Sequence, residues 1–135
     1  MGDFFMRILV AEDDFASRKF MMKFLSKYGD CDVTVDGMEA VDAFELALDE
    51  GEPYDLVCLD IMMPVLDGYQ ALRAIRGAEK DRRIPEEDSA VIIMTTALSE
   101  GENVNKAFDL GCVAYAGKPI DEVKFESVLR KLGML

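Results

Sequence analysis

Residues 54–68 read YDLVCLDIMMPVLDG, an apolar run that delivers a carboxylate and then breaks on a proline. Leu56, Val57, Cys58 and Leu59 show no apolar–polar alternation, which is the pattern of a strand buried on both faces. Asp60 follows with no polar spacer, and Ile61, Met62, Met63 and Pro64 come after it. A carboxylate at the rim of a core is costly unless a cation or hydrogen-bond donors compensate it. The stretch therefore predicts a doubly covered strand, and partners for Asp60 elsewhere in the chain.

Similar runs recur on either side of it. Strands are predicted at Met6–Ala11, Asp32–Val35, Asp55–Leu59, Ala90–Thr95 and Cys112–Ala116. Between them lie amphipathic helical patterns, such as Phe20, Met21, Phe24, Leu25 and Tyr28 on one helix face. Ala40, Val41, Phe44, Ala47 and Leu48 mark the second helix, and Leu72 and Ile75 the third. Val104, Ala107 and Phe108 mark the fourth, and Phe125, Val128, Leu129 and Leu132 the fifth. Gly29, Gly51, Gly111 and Gly133 fall where left-handed helix ends are expected. Asp14, Asp67, Ser99 and Asp121 stand at N-cap positions. The segment GAEKDRRIPEEDS, residues 77–89, reads as a solvated loop with room for an extra turn of the third helix.

Alternating strands and helices with apolar strands predict an α/β fold, one parallel sheet covered on both faces. Five units of this length suggest a flavodoxin-like doubly wound sheet of order 2-1-3-4-5 with five helices. The 135 residues suit a single domain, 1–135, with its core in 6–132.

Composition narrows the function classes. Twenty-seven acidic against fifteen basic residues, a formal charge of −12, argue against direct binding to nucleic acid or anionic membranes. No apolar run is long enough to span a bilayer, and the N-terminus lacks a secretory signal, so a cytoplasmic protein is expected. Cys31, Cys58 and Cys112 form no CxxC pair and the chain has no histidine, so zinc and Cys-His chemistry are not expected.

In open α/β sheets, ligands bind beyond the carboxyl ends of the strands. There the first strand runs into Glu12, Asp13 and Asp14, the third ends in Asp60, the fourth in Thr95 and Thr96, and the fifth in Lys118. Close carboxylates repel one another unless a cation joins them, and oxygen-rich ligands suit Mg²⁺. A carboxylate nucleophile, a divalent cation, a lysine and a hydroxyl are the parts that phosphoryl transfer requires.

The motifs ILVAEDD, DLVCLDIMMPVLDG, VIIMTTA and AYAGKPI resemble, in order and register, the response-regulator receiver domain of two-component signalling. The resemblance implies Asp60 as the phosphoacceptor, taking its group from a sensor histidine kinase or a histidine phosphotransfer protein. It implies Mg²⁺ held directly by Asp13 and Asp60, through water by Glu12, and by the backbone carbonyl of Met62. Thr96 matches the hydroxyl that bonds the phosphoryl group, Lys118 the lysine that pairs with it, and the Lys118–Pro119 bond is expected cis. Tyr115 stands where receivers often carry an aromatic whose rotamer reports phosphorylation. The surface of the fourth helix, fifth strand and fifth helix would then change its affinity for a downstream protein target.

The chain stops after the fifth helix, so a single-domain regulator with no output domain is expected, a signalling domain rather than an enzyme. Apolar Met62 and Leu98, at positions that influence access of hydrolytic water in this family, predict slow self-dephosphorylation. Gly117 departs from the bulkier residue often found before the lysine. Two rivals remain. A Mg²⁺-dependent aspartyl phosphatase of the haloacid dehalogenase type wants a second aspartate where this chain has Met62. A phosphorylation-independent interaction module would have lost the chemistry, which the intact Asp13, Asp60, Thr96 and Lys118 speak against.

Overall fold

Five parallel strands lie in the order β2-β1-β3-β4-β5, the order expected for the doubly wound sheet. The computed structural model of the chain describes residues 5–97, 111–112 and 114–135. Its elements run β1 (Met6–Ala11), α1 (Phe15–Leu25), β2 (Gly29–Thr34), α2 (Gly37–Asp49), β3 (Leu56–Asp60) and α3 (Gly68–Asp81). A short 3-10 turn at Glu86–Asp88, β4 (Val91–Thr96), β5 (Ala114–Gly117) and α4 (Glu122–Lys131) complete them. The described residues thus hold four α-helices. The fourth predicted helix, with Ser99, lies outside them, so α4 is the fifth helix of the sequence pattern.

The strands are short, the central β1, β3 and β4 are apolar while the edge strand β2 (GDCDVT) is not, and each described helix opens on an aspartate whose side chain accepts a backbone N–H of the first turn. Asp14, Asp36, Asp67 and Asp121 fill these caps, and Asp67 forms a reciprocal capping box with Gln70. Alternation along the strands then divides the core. Leu9, Val57, Leu59, Ile92 and Met94 pack under α2 and α3 through Phe44, Leu72 and Ile75. Ile8, Val10, Leu56, Cys58 and Ile93 pack under α1 and α4 through Phe24, Leu25, Phe125 and Leu129. Phe24 meets Phe125 edge-on at 5.6 Å, joining α1 to α4. Side chains in a strand repeat every second residue, so Asp60 shares the α1/α4 face with Leu56 and Cys58.

Several sequence expectations shift. The second strand starts at Gly29 rather than Asp32, the third, fourth and fifth strands move one or two residues later, and Cys112 falls just before β5. Gly29 is not a helix end. It pairs with Met6, where the backbones approach so closely that a Cβ would strike the Met6 carbonyl. Gly51, Gly111 and Gly133 do take positive φ, at 74°, 105° and 77°. Of the segment 77–89, residues 77–81 form the extra turn of α3 for which the sequence left room. Glu79, 4% exposed, accepts from the Arg76 guanidinium at 2.8 Å and from the Ala90 amide at 2.7 Å, and both bonds require that turn of helix. Among the described residues no helix is long and apolar enough to cross a membrane.

Candidate functional site

At the carboxyl end of the sheet the strand topology brings β1 and β3 side by side, with β4 and β5 beyond. Asp60 is the last residue of β3 and pairs in register with Thr95. The chain leaves it sharply. The Gly68 amide returns to the Ile61 carbonyl at 2.9 Å, closing the loop in which Val65 adopts a φ of 69°. Gly68 opens α3 so near the strand end that a Cβ would lie 2.5 Å from the Asp60 carbonyl oxygen. The Asp-Gly pair of residues 67 and 68 is thus both a helix cap and a close approach to the functional strand.

Glu12 and Asp60 are almost wholly buried, at 2% and 4% exposure, whereas Asp13 stands exposed beside them. One carboxylate oxygen from each of the three lies within 4.8 Å of the others. Oxygen ligands on an octahedral Mg²⁺ stand about 2.9 Å apart when adjacent and about 4.2 Å when opposite, so these carboxylates offer the all-oxygen donor set that ion takes and would draw closer together around it. Lys118 supplies the compensating charge demanded by the strand end. Its ammonium hydrogen-bonds Glu12 and lies 3.2 Å from Asp60 Oδ2. The second Glu12 oxygen accepts the Asp14 amide at 3.1 Å.

The electrostatics follow from burial. Desolvation, and after it the Glu12 charge, push the Asp60 carboxyl up to about 6 in spite of Lys118. Burial pulls Lys118 downward, but its bond to Glu12 and the negative charge of Asp60 outweigh this and leave it raised. Above about pH 6 Asp60 is thus ionised at a cost to the fold, a cost that added positive charge would relieve.

The remaining predicted residues are distributed around this cluster. Thr96 is fully buried at the end of β4, and its carbonyl accepts the Lys118 amide at 2.8 Å. The Lys118–Pro119 bond is cis. Met62 projects at 65% exposure two residues beyond Asp60. Tyr115 is half-buried on β5 against the α2/α3 core. Leu98 lies outside the described residues. Two features escaped the sequence reading. Thr95, given no role by the resemblance, joins Glu12, Lys118, Phe20, Met21 and Ile120 around a pocket of about 260 Å³. Arg18 of α1 donates to the carbonyls of Glu12 and Asp13, at 2.9 and 3.3 Å, a link that no spacing rule in the sequence signals.

Comparison with known proteins agrees with this geometry. The family model of the response regulator receiver domain matches residues 8–130. The chain is 32% identical over 128 residues to hybrid signal transduction histidine kinase L of Dictyostelium discoideum, covering 94% of the chain and 7% of that protein. It is 36% identical over 127 residues to the probable transcriptional regulator ycf27 of Cyanophora paradoxa, covering 93% of the chain and 47% of that protein. The chain therefore corresponds to about half or less of these curated relatives. Among solved structures, the receiver domain of the Arabidopsis thaliana histidine kinase CKI1 complexed with Mg²⁺ superposes with a TM-score of 0.81 at 27% identity, covering 96% and 94% of the two chains. The receiver domain of the Pseudomonas aeruginosa sensor histidine kinase PA1611, with Mg²⁺ in its active-site cleft, gives 0.75 at 28% identity, covering 94% and 96%.

Proposed function

The chain belongs to the response regulator receiver family of two-component signalling, and we propose that within it Asp60 accepts a phosphoryl group from a phosphohistidine. The donor is a sensor histidine kinase or a histidine phosphotransfer protein. One observation carries this reading: a nearly buried carboxylate at a central strand end, ringed by Glu12, Asp13 and Lys118 within ligand and ion-pair distances. In the transfer an Asp60 oxygen bonds to phosphorus while the bond from phosphorus to the histidine nitrogen breaks. That nitrogen keeps the electron pair and takes up a proton.

Glu12, Asp13, Asp60 and the Met62 carbonyl would hold Mg²⁺, which when bound supplies positive charge against the repulsion between Asp60 and the phosphoryl oxygens. Lys118 exchanges its contact with Asp60 for a phosphoryl oxygen, and its main-chain bond to the Thr96 carbonyl keeps β4 and β5 in step as it does so. The Thr96 hydroxyl bonds a second phosphoryl oxygen. Tyr115, half-buried at the start, turns further inward, and the surface formed by β5, α4 and the fourth predicted helix changes its affinity for a downstream protein. The domain acts on its own phosphorylation state and turns over no external substrate.

The test is intact mass after incubation with a small-molecule phosphodonor and Mg²⁺, beside Asp60→Asn and a chelated control. A gain of one phosphoryl group, absent from both controls, is expected. No gain by a folded protein would overturn the reading in favour of a phosphorylation-independent interaction module.

A further inference from the structure

Asp13 is the weakly anchored member of the carboxylate cluster. Glu12 is held through its amide to Thr34, through one carboxylate oxygen to Lys118 and through the other to the Asp14 amide. Asp13 is exposed, and among the described residues no cation pairs with its carboxylate. What reaches it is the Arg18 guanidinium, whose Nη1 donates to the Asp13 carbonyl at 3.3 Å and to the Glu12 carbonyl at 2.9 Å. The two carbonyls belong to consecutive peptide planes, and the second plane follows directly from the Asp13 Cα. One donor group bridging both restricts the rotation that would swing the Asp13 carboxylate away from Asp60.

The placement of Arg18 is otherwise unfavourable. It is the fourth residue of α1, a first-turn position where the helix dipole disfavours a cation, and α1 has no acidic residue in that turn. A stability argument would put Glu there. The guanidinium instead folds back beyond the helix start, half-buried, with its Cζ 5.6 Å from the centre of the Phe15 ring. A residue that breaks a local rule beside a functional cluster points to a role in that cluster.

We propose that Arg18 is a positioning residue for the metal site: by bridging the Glu12 and Asp13 carbonyls it holds the Asp13 carboxylate in ligating geometry. This rests on the phosphoacceptor reading above, because it takes Asp13 as a Mg²⁺ ligand. It also carries a sign that simple electrostatics lacks. Removing a positive charge near a cation site should tighten binding, whereas losing the bridge should weaken it.

Mg²⁺ affinity measured by calorimetry on the wild type, Arg18→Met, Arg18→Lys and Lys19→Met, with thermal melts in EDTA, separates the two. Arg18→Met is expected to bind Mg²⁺ about tenfold more weakly, the scale of outer-sphere partners of metal ligands. Arg18→Lys, which keeps the charge on a shorter side chain, should fall between. Lys19→Met, which removes a neighbouring exposed charge and no bridge, should match the wild type or bind more tightly. Unchanged or tighter binding by folded Arg18→Met overturns the proposal. Should that variant not fold, wild-type affinity in Arg18→Lys overturns it instead. A wild type that binds no Mg²⁺ would sink the metal-site reading itself, and the Arg18 assignment with it.

Discussion

Replacing Asp60 by Asn should stabilise the metal-free protein, and by an amount that depends on pH. Burial and the Glu12 charge place the Asp60 carboxyl at about 6 in the fold, against a value of 3.8 for a free side chain. Between those two pH values the native state holds a proton that the unfolded chain has released, so stability falls as pH rises through that window. A gap of roughly two units corresponds to about 3 kcal/mol. Above pH 6 the ionised Asp60 weighs on the metal-free fold by that amount, and below pH 4 it does not. Asn has nearly the same shape and never ionises, although it leaves Lys118 with only Glu12 as a close anionic partner. Because that gap is already net of the attraction of Lys118, Asp60→Asn should exceed the wild type by about 3 kcal/mol at pH 8. The two should converge near pH 4. Urea unfolding followed by far-UV circular dichroism in EDTA, across pH 4 to 8, measures the difference while the other carboxylates cancel. A difference between the two proteins that does not change with pH would refute the assignment of the burden to Asp60. Added Mg²⁺ should restore the wild type and leave the variant unmoved, by mass action on the folded state.

Other consequences are equally direct. Gly68→Ala places a Cβ 2.5 Å from the Asp60 carbonyl, so backbone must move, and a loss of about 2–3 kcal/mol together with slower phosphorylation is expected from melts and mass spectrometry. Wild-type stability in that variant would mean the contact is soft. Arg76→Met strips the guanidinium from buried Glu79 and from the Ala90 and Gly111 carbonyls, and should cost about 3–5 kcal/mol in denaturant unfolding. Phosphorylated protein should hydrolyse slowly, given the apolar side chain of Met62 beside Asp60, and a half-life of seconds in Mg²⁺ buffer, read by intact mass over time, would contradict this.

Much of the site was legible because its residues occupy strand ends. An apolar run with no alternation must be covered on both faces, and parallel strands with right-handed crossovers put all carboxyl ends on one side. Glu12, Asp13, Asp60, Thr96 and Lys118 were therefore brought to one region by pattern alone, before any distance was known. Helix starts were legible for a similar local reason, since Asp14, Asp67 and Asp121 cap the first turns they precede. Local rules failed where a distant chain segment intervened. Gly29 reads as a helix end, but the Met6 backbone, far away in sequence, presses on it and makes it a strand residue. Residues 77–89 read as a solvated loop with room for an extra turn of the third helix, but that 77–81 take this turn is fixed by Arg76 and Glu79, which turn inward to the starts of β4 and β5.

By itself the sequence determined the α/β class, the strand order expected of it and the end of the sheet at which the acidic cluster gathers, because periodicity and strand termini are local properties. Only the tertiary structure decided that Lys118 already bridges Glu12 and Asp60, that the Asp60 proton is held to about pH 6, and that Arg18 grips the backbone of the acidic pair. Ion pairs and desolvation depend on distances between side chains that the folded core sets, and spacing along the chain does not encode them.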